Sequence, residues 1–428
     1  MSQFATPEIW ITGAAAITAL GDDLESTWSA MLAGRTAGRW VELYTLAGQV
    51  VRVPAAPVDS PLLAGVRLES SSLRADRLAL EVARQVVCQA RLETRHQRQA
   101  VIAFGSSKPA LSPWFVRTAL ERKYPDAPAG VEGVDPADYP TSPGWDMLTP
   151  QRAAVRVAQA LKVDGPVLSS VSACSTGLHS LIRAVQWIQD GHGPIAIAGA
   201  VESGLNALFA SAFLRMRVLA GGCADAAAAC KPFDLHRSGF VLGEGAAAVV
   251  IESAGHARAR GARPLAMICG YCRGADPTGL ADMDPHGRPL AGVIRRCLAG
   301  ARVRPAEVCA IKAHGTATQQ NDRAESAAIR AVFGDENPAV ISLKGHLGHT
   351  LGASGAIETA VCAKAAATGM MPATANLTLP DPQCAVNHPA RPIHVFSHTR
   401  PYMLCLSAGF GGHLAAILIR SSRCTCGG

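Results

Sequence analysis

Val167-Leu168-Ser169-Ser170-Val171, followed by Ser172-Ala173-Cys174-Ser175-Thr176-Gly177, is the stretch on which the fold turns. The apolar and β-branched run predicts a strand, and the small residues after it predict a tight loop. Leu178, Leu181, Ile182, Val185 and Ile188 then recur at three- and four-residue steps, which marks one apolar face of a helix. Cys174 therefore stands where a strand turns into a helix. A second unit of this kind has Ala339-Val340-Ile341-Ser342 as strand, a glycine-rich loop through Gly355, and Ala356, Ile357, Ala360, Val361 and Lys364 on a helix. Two such units, one in each half, predict an α/β protein with a buried sheet and an internal duplication, its boundary near Ser253 to Arg263.

Working outward, Trp10-Ile11-Thr12-Gly13 reads as the end of a first strand. Met403-Leu404-Cys405-Leu406-Ser407 and Ala415-Ala416-Ile417-Leu418-Ile419 flank Gly409-Phe410-Gly411-Gly412 and read as two strands joined by a glycine turn. Pro, Gly and Asp residues between Gly130 and Pro150 predict a surface insertion near Tyr139-Pro140-Thr141-Ser142-Pro143, and residues 421–428 read as a disordered tail. Net charge is +7, but Lys and Arg are scattered without a basic block, which argues against nucleic-acid binding. A dispersed basic face still suits an acidic protein partner. The 13 cysteines are odd in number and irregularly spaced. The start of the chain lacks a basic segment followed by an apolar one, and no apolar run reaches the ~20 residues that span a bilayer. The expectation is a cytoplasmic protein with reduced thiols and no membrane span.

Several residues are candidates for chemistry. A cysteine at a helix N-terminus faces unpaired N–H groups and the positive end of the helix dipole, both of which favour thiolate and can hold the oxygen of a carbonyl under attack. A buried structural cysteine is the plainer reading of Cys174 alone. His314 lies in Ala313-His314-Gly315-Thr316-Ala317-Thr318, after the apolar run Val308-Cys309-Ala310-Ile311. On an extended segment the Thr316 and Thr318 hydroxyls point the same way and can bond the amides of a long substrate arm. Lys344 and His349 sit in Ser342-Leu343-Lys344-Gly345-His346-Leu347-Gly348-His349, where a lysine beside two histidines helps keep the imidazoles neutral. A zinc site from His314, His346 and His349 has no supporting Cys or carboxylate pattern, so no metal is expected. Cys269-Gly270-Tyr271-Cys272 invites a redox reading, but residues three apart on a strand face opposite sides.

Taken together, the Cys174 segment, the His-Gly-Thr-Ala-Thr run, the Lys344 to His349 loop and the Gly-Phe-Gly-Gly turn resemble the elongating type I and II β-ketoacyl-acyl carrier protein synthases. The resemblance runs from Ile11 to Ile419 and takes in Trp28, Leu32-Ala33-Gly34, Gly165-Pro166, Pro232-Phe233-Asp234, Arg237, Gly239-Phe240 and Gly243-Glu244-Gly245. It implies a thiolase-like α/β fold of two similar halves in five α-β-α-β-α layers. Here these are residues 8–255 with the nucleophile and 256–420 with the His, Lys and His loops and the glycine turn. It also implies a decarboxylative Claisen condensation in fatty acid, polyketide or polyene synthesis.

By position, Cys174 is the acyl-carrying nucleophile, and the N–H groups of Cys174 and Phe410 form the oxyanion hole, with Phe410 also the gate of the acyl tunnel. His314 and His349 are the decarboxylation pair, Lys344 orders them, Thr316 and Thr318 hold the pantetheine arm, and Glu325 stands behind. No cofactor is implied beyond the 4'-phosphopantetheine that the acyl carrier protein brings. The implied partners are that carrier protein, with Arg215 and Arg217 as docking residues, and a second copy in a homodimer or a related subunit in a heterodimer. Ser238, Lys231, His413 and the segment Gly105-Ser106-Ser107-Lys108-Pro109 depart from the family pattern, and the last of these lines the acyl pocket in relatives.

Rival readings fall on single residues. A degradative thiolase needs a second cysteine where Phe410 stands, and the initiating type III branch carries Asn at the place of His349. A catalytically silent chain-length-factor-like subunit is the alternative of a different class, and retention of Cys174, His314, Lys344 and His349 opposes it.

Overall fold

Each half of the chain contributes five strands to one large sheet, and the second five repeat the order and sense of the first. The computed structural model describes residues 7–46, 49–68, 70–108 and 149–424. In the first half β1 (Ile9–Thr18), β2 (Val101–Gly105), β3 (Val167–Leu168), β4 (Ile195–Glu202) and β5 (Gly245–Ser253) lie in the order β1-β5-β4-β2-β3. In the second, β6 (Ala266–Ala275), β7 (Val308–Lys312), β8 (Ala339–Ile341), β9 (Tyr402–Gly409) and β10 (His413–Ser421) lie in the order β6-β10-β9-β7-β8. The first two pairings of each series are antiparallel and the last two parallel. A short antiparallel contact of β1 with β6 joins the halves into one ten-stranded sheet.

Helices repeat in the same way. In the first half these are α1 (Ser71–Gln89), α2 (Arg152–Ala160) and α3 (Thr176–Gln189); α4 (Ala207–Arg215) follows β4. In the second they are α5 (Arg288–Ala301), α6 (Gln319–Phe333) and α7 (Ser354–Thr368). Both faces of each half-sheet are apolar, as strands covered on two sides must be. Ala247, Val249 and Ile251 of β5 face the middle of the molecule, whereas Ala246, Ala248 and Val250 face outward against α1 and α2. In β10, Ala415, Ile417 and Ile419 face the middle, and Leu414, Ala416 and Leu418 face α5 and α6. Helices α3 and α7 fill the space between, which gives five layers.

α3 and α7 meet through a pair of glycines, each the second residue of its helix. A Cβ on Gly177 would lie 2.5 Å from the Ala356 nitrogen, and one on Gly355 would lie 2.5 Å from the Leu178 nitrogen. This contact lets the two N-termini converge, so that the loop before α3 and the loop before α7 open into one space.

Three expectations change. The first strand does not end at Gly13 but runs to Thr18, because Gly13 is an irregularity in register where a side chain would strike Ala90. Of Val167 to Val171, only Val167 and Leu168 pair with a neighbour. Residues 421–424 are not a disordered tail: Ser421 is buried, pairs with Ala266 and donates its hydroxyl to the Ala366 carbonyl at 2.7 Å, and Ser422–Cys424 form a short 3-10 turn. The insertion expected near Tyr139 lies outside the described residues. The connection between β5 and β6, which carries the short helix Ala254–Ala259, contains the expected boundary.

Candidate active site

The turn before α3 is clamped by its own small polar residues. Ser172 N–H donates to Thr176 Oγ1 at 2.9 Å, and that hydroxyl donates to the Ala173 carbonyl at 2.7 Å. Ala173 takes a left-handed φ of 46°, an unfavourable setting for a residue with a Cβ that the clamp holds in place. Cys174, the next residue, is 6% exposed and lines a cavity of about 320 Å³. Gly409 is needed opposite, because a Cβ there would stand 2.8 Å from the Ser172 oxygen and 3.0 Å from the Cys174 nitrogen. The β9–β10 turn thus comes against the cysteine, with the Phe410 N–H directed at its sulfur.

Burial is the largest influence on this thiol and pushes it above its ordinary value of 9.0, while Lys108, Lys344 and the Phe410 N–H pull the other way. This corrects the expectation of a site that favours thiolate outright. The cause is enclosure among Phe213, Phe240, Leu219 and Leu351, which costs the charged form its water.

His314 and His349 line the same cavity, with ring centroids 5.4 Å apart and planes nearly perpendicular. Lys344 Nζ stands 3.4 Å from His314 Nδ1 and donates to the His314 carbonyl at 2.5 Å. An ammonium has only protons to give, so His314 Nδ1 is the acceptor and Nε2 carries the proton. The Leu351 N–H donates to His349 Nδ1 at 3.3 Å, with Ser354 Oγ at 3.0 Å, and the same logic protonates its Nε2. Burial first, and the Lys344 charge second, hold both imidazoles well below their ordinary value, so both are neutral.

Behind them lies a buried charge group. Glu358 accepts from Lys344 at 2.7 Å and from Lys312, and Lys312 also donates to the Leu406 carbonyl at 2.6 Å. Glu325 accepts the His314 and Gly315 N–H groups at 2.6 and 2.8 Å and so fixes the loop that carries His314. Burial raises the Glu325 carboxyl, and those two hydrogen bonds oppose the rise.

The Thr316 and Thr318 hydroxyls are 2.8 Å apart and both line the cavity. They come together through a left-handed Ala317 rather than an extended segment. Arg237 holds this loop by donating to the Thr318 and Gln319 carbonyls, with its charge met by Asp381 at 2.7 Å and Asp322 at 3.6 Å. The cavity opens past exposed Leu280, Met216 and Arg217, and Arg215 is exposed on α4 beside them.

The other candidates lie apart. His346 places its two ring nitrogens 2.8 and 2.9 Å from the Arg35 and Ala373 carbonyls, so it ties loops together. Among the described residues no group of three His, Cys, Asp or Glu side chains is placed to hold a metal. Cys269 and Cys272 are free thiols along β6. Sequence reasoning passed over Lys312, Glu358 and Ser354. The one available signal was Glu358, the single carboxylate in a helix made mostly of alanine and other small or apolar residues.

A cysteine and two neutral imidazoles share one cavity in a duplicated five-layer α/β fold of thiolase-like architecture. The β-ketoacyl synthase N-terminal domain model matches residues 6–257, and the C-terminal domain model matches residues 265–378. The 3-oxoacyl-[acyl-carrier-protein] synthase 2 of Mycobacterium tuberculosis is 33% identical over 96% of this chain and 97% of its own length. The tetracenomycin polyketide synthase ketoacyl synthase alpha subunit of Streptomyces glaucescens is 30% identical over 98% and 99%. Among solved structures, a type II polyketide ketosynthase in complex with its acyl-carrier protein superposes with a TM-score of 0.83 at 26% identity, covering 97% of this chain and all of that one. The ishigamide ketosynthase/chain length factor has a TM-score of 0.82 at 28% identity with the same coverage. The chain belongs to the β-ketoacyl synthase family and is an acyltransferase that forms carbon–carbon bonds.

Proposed function

We propose that this chain elongates an acyl group held on Cys174 by decarboxylative Claisen condensation with a malonyl group on an acyl carrier protein, in fatty acid, polyketide or polyene synthesis. The observation that carries the reading is the pair of neutral imidazoles, each with its Nε2 proton free of the hydrogen bonds that occupy Nδ1, on the cavity that holds the cysteine.

In the first half-reaction the Cys174 sulfur attacks the thioester carbonyl of an incoming acyl chain. The oxygen takes up negative charge opposite the N–H groups of Cys174 and Phe410. The carrier thiol leaves with the proton that Cys174 lost, and the acyl group remains as an enzyme thioester.

In the second, malonyl carrier protein loses carbon dioxide. The electron pair released passes to its thioester oxygen, where the Nε2–H groups of His314 and His349 hold it. The enolate carbon attacks the acyl carbonyl, a carbon–carbon bond forms, and the Cys174 thiolate is expelled. Lys344 keeps both rings neutral, so they donate without being charged. The Thr316 and Thr318 hydroxyls bond the pantetheine arm that reaches in past Arg217.

Arg215 and Arg217 suit an acidic carrier protein at the mouth. Among the described residues β3 is one of the two end strands of the sheet, with Val167 on it and Val171 just after it exposed, and its outer edge suits a second copy or a related subunit. The two halves, 8–255 and 256–420, are the structural units. No described helix is long and apolar enough to cross a membrane, and the cytoplasm is the place of work in this reading.

The test is intact-protein mass after incubation with acyl carrier protein, followed by malonyl carrier protein. An acyl adduct on Cys174 that is chased into a 3-oxoacyl product, and is absent from Cys174→Ser, is the expected result. An adduct that persists in Cys174→Ser refutes the assignment.

A further inference from the structure

Lys108 ends a segment that the fold takes trouble to place. Glu202, at the end of β4 and 2% exposed, accepts the Ser107 N–H at 3.2 Å and the Ser107 hydroxyl. The same carboxylate accepts the Gly352 N–H at 3.0 Å, from the turn between His349 and α7. The Ser106 hydroxyl bonds the Lys108 carbonyl at 3.2 Å. The backbone at 105–108 is thus tied to the loop that carries His349.

The side chain it presents is ill matched to its surroundings. The Lys108 ammonium stands 5.3 Å from the Phe209 ring centre and 5.4 Å from that of Phe213. Phe213 belongs to the apolar cluster that encloses Cys174 with Phe240, Leu219 and Leu351. Among the described residues its one side-chain hydrogen bond goes to Ser107 Oγ at 3.1 Å, and no carboxylate forms an ion pair with it. Three N–H donors therefore have one acceptor among the described residues, and the aromatic faces give the charge only partial compensation. Its charge is felt at both Cys174 and His349.

A cation set on the aromatic wall of the cluster that encloses Cys174, with few of its donors met among the described residues, discriminates between acyl groups. A plain alkyl chain laid against it removes water from the ammonium and returns nothing, whereas a chain bearing an oxygen acceptor replaces that water.

We propose that Lys108 sets acyl specificity: its ammonium receives a keto or carboxylate oxygen of the acyl group on Cys174, so that oxygenated chains are taken in preference to alkyl chains of the same length. This rests on Cys174 being the acylated residue. The chemistry of loading is unchanged by it, since one thioester is exchanged for another and the carrier thiol is released.

Competition between hexanoyl, 3-oxohexanoyl and adipoyl thioesters of one carrier protein tests the proposal, with the Cys174 adducts measured by intact mass. At least one of the oxygenated groups loads about tenfold or more ahead of hexanoyl in the unmodified enzyme, and which one leads tells a keto oxygen near the thioester from a distant carboxylate. Lys108→Met loses the preference and Lys108→Arg retains it, the second variant showing that the segment still folds. An unchanged preference in Lys108→Met, or none in the unmodified enzyme, overturns the proposal. So does an equal slowing of all three thioesters in Lys108→Met with a pH profile moved upward, because Lys108 would then act on the thiol. Absence of any Cys174 adduct from the unmodified enzyme is a different result: it refutes the nucleophile itself, and the specificity claim falls with it.

Discussion

The loop before α3 and the loop before α7 occupy the same place in the two repeats, yet one carries the Cys174 thiol and the other carries Lys344 and His349, which meet His314 of the β7–α6 loop. Their helices start alike, Thr176-Gly177 against Ser354-Gly355, and cross at those glycines. Three residues on, Ser180 of α3 stands where Glu358 stands on α7. Ser180 is buried with its hydroxyl unpartnered among the described residues and a Gly105 neighbour, whereas Glu358 is buried between Lys312 and Lys344. Gly105 ends β2 as Lys312 ends β7. The comparison teaches that duplication built the scaffold, and that divergence placed small residues behind the nucleophile and a charge group behind the proton donors. The cysteine thereby comes from one half of the molecule and the two imidazoles from the other, with Phe410 of the second half reaching back to Cys174.

The largest effect that would break this contrast lies in stability. Glu358→Ala leaves two buried lysines without their carboxylate and is expected to cost about 3–5 kcal/mol, the range for breaking a buried pair. Ser180→Ala at the equivalent place removes an unpaired hydroxyl and is expected to cost under about 1 kcal/mol. Denaturant unfolding of both variants checks the difference, and equal costs would make the charge group incidental.

pH separates the two loops next. The Cys174 thiol is raised above 9.0, so the fraction of thiolate, and with it the rate of acyl loading, should climb about tenfold per unit from neutral pH upward. His314 and His349 are held well below 6.5, so decarboxylation of malonyl carrier protein should stay flat as pH falls through 6.5 and decline only in more acid solution, where the rings take up protons. Loading and carbon dioxide release measured separately between pH 5.5 and 9, conditions set for the assay, test both signs. A decarboxylation rate that halves near pH 6.5 would mean that Lys344 and burial do not govern the imidazoles.

The smallest expected effect concerns the arm that both half-reactions share. Thr316→Val and Thr318→Val each remove one hydroxyl from the cavity and should raise KM for both carrier-bound substrates by roughly fivefold, about 1 kcal/mol, with kcat little changed. A selective effect on one substrate would show that the two enter differently.

Much of this was legible before any coordinates, and what was not has a physical reason. The strand-to-helix turn at Cys174 and the two-strand hairpin around Phe410 are local patterns, written in small residues and in runs of apolar ones. The paired units at 167 and 339 disclosed the repeat because each is a contiguous stretch. Lys312 and Glu358 were missed because they are 46 residues apart and each looks like an ordinary charge until β7 and α7 meet. The rise in the thiol has a similar reason, since the helix terminus is visible locally and the enclosure that raises the group is tertiary. Gly13 looked like a strand end because a glycine that makes an irregularity and a glycine that makes a turn are alike in sequence. Ser421 looked like the start of a tail because nothing in the residues after it reveals that Ala266 lies alongside.

The most direct test of the division between the loops uses Cys174→Gln, whose amide fills the place of an acyl thioester and cannot accept an acyl chain. Carbon dioxide release and condensed product are measured on the same samples with malonyl carrier protein and an acyl donor, for Cys174→Gln alone and combined with His349→Ala. The account predicts that Cys174→Gln releases carbon dioxide and forms no condensed product, and that adding His349→Ala lowers the release by about 10²–10³, the loss typical of one oxyanion donor. Condensed product from Cys174→Gln, or release indifferent to His349, would contradict it.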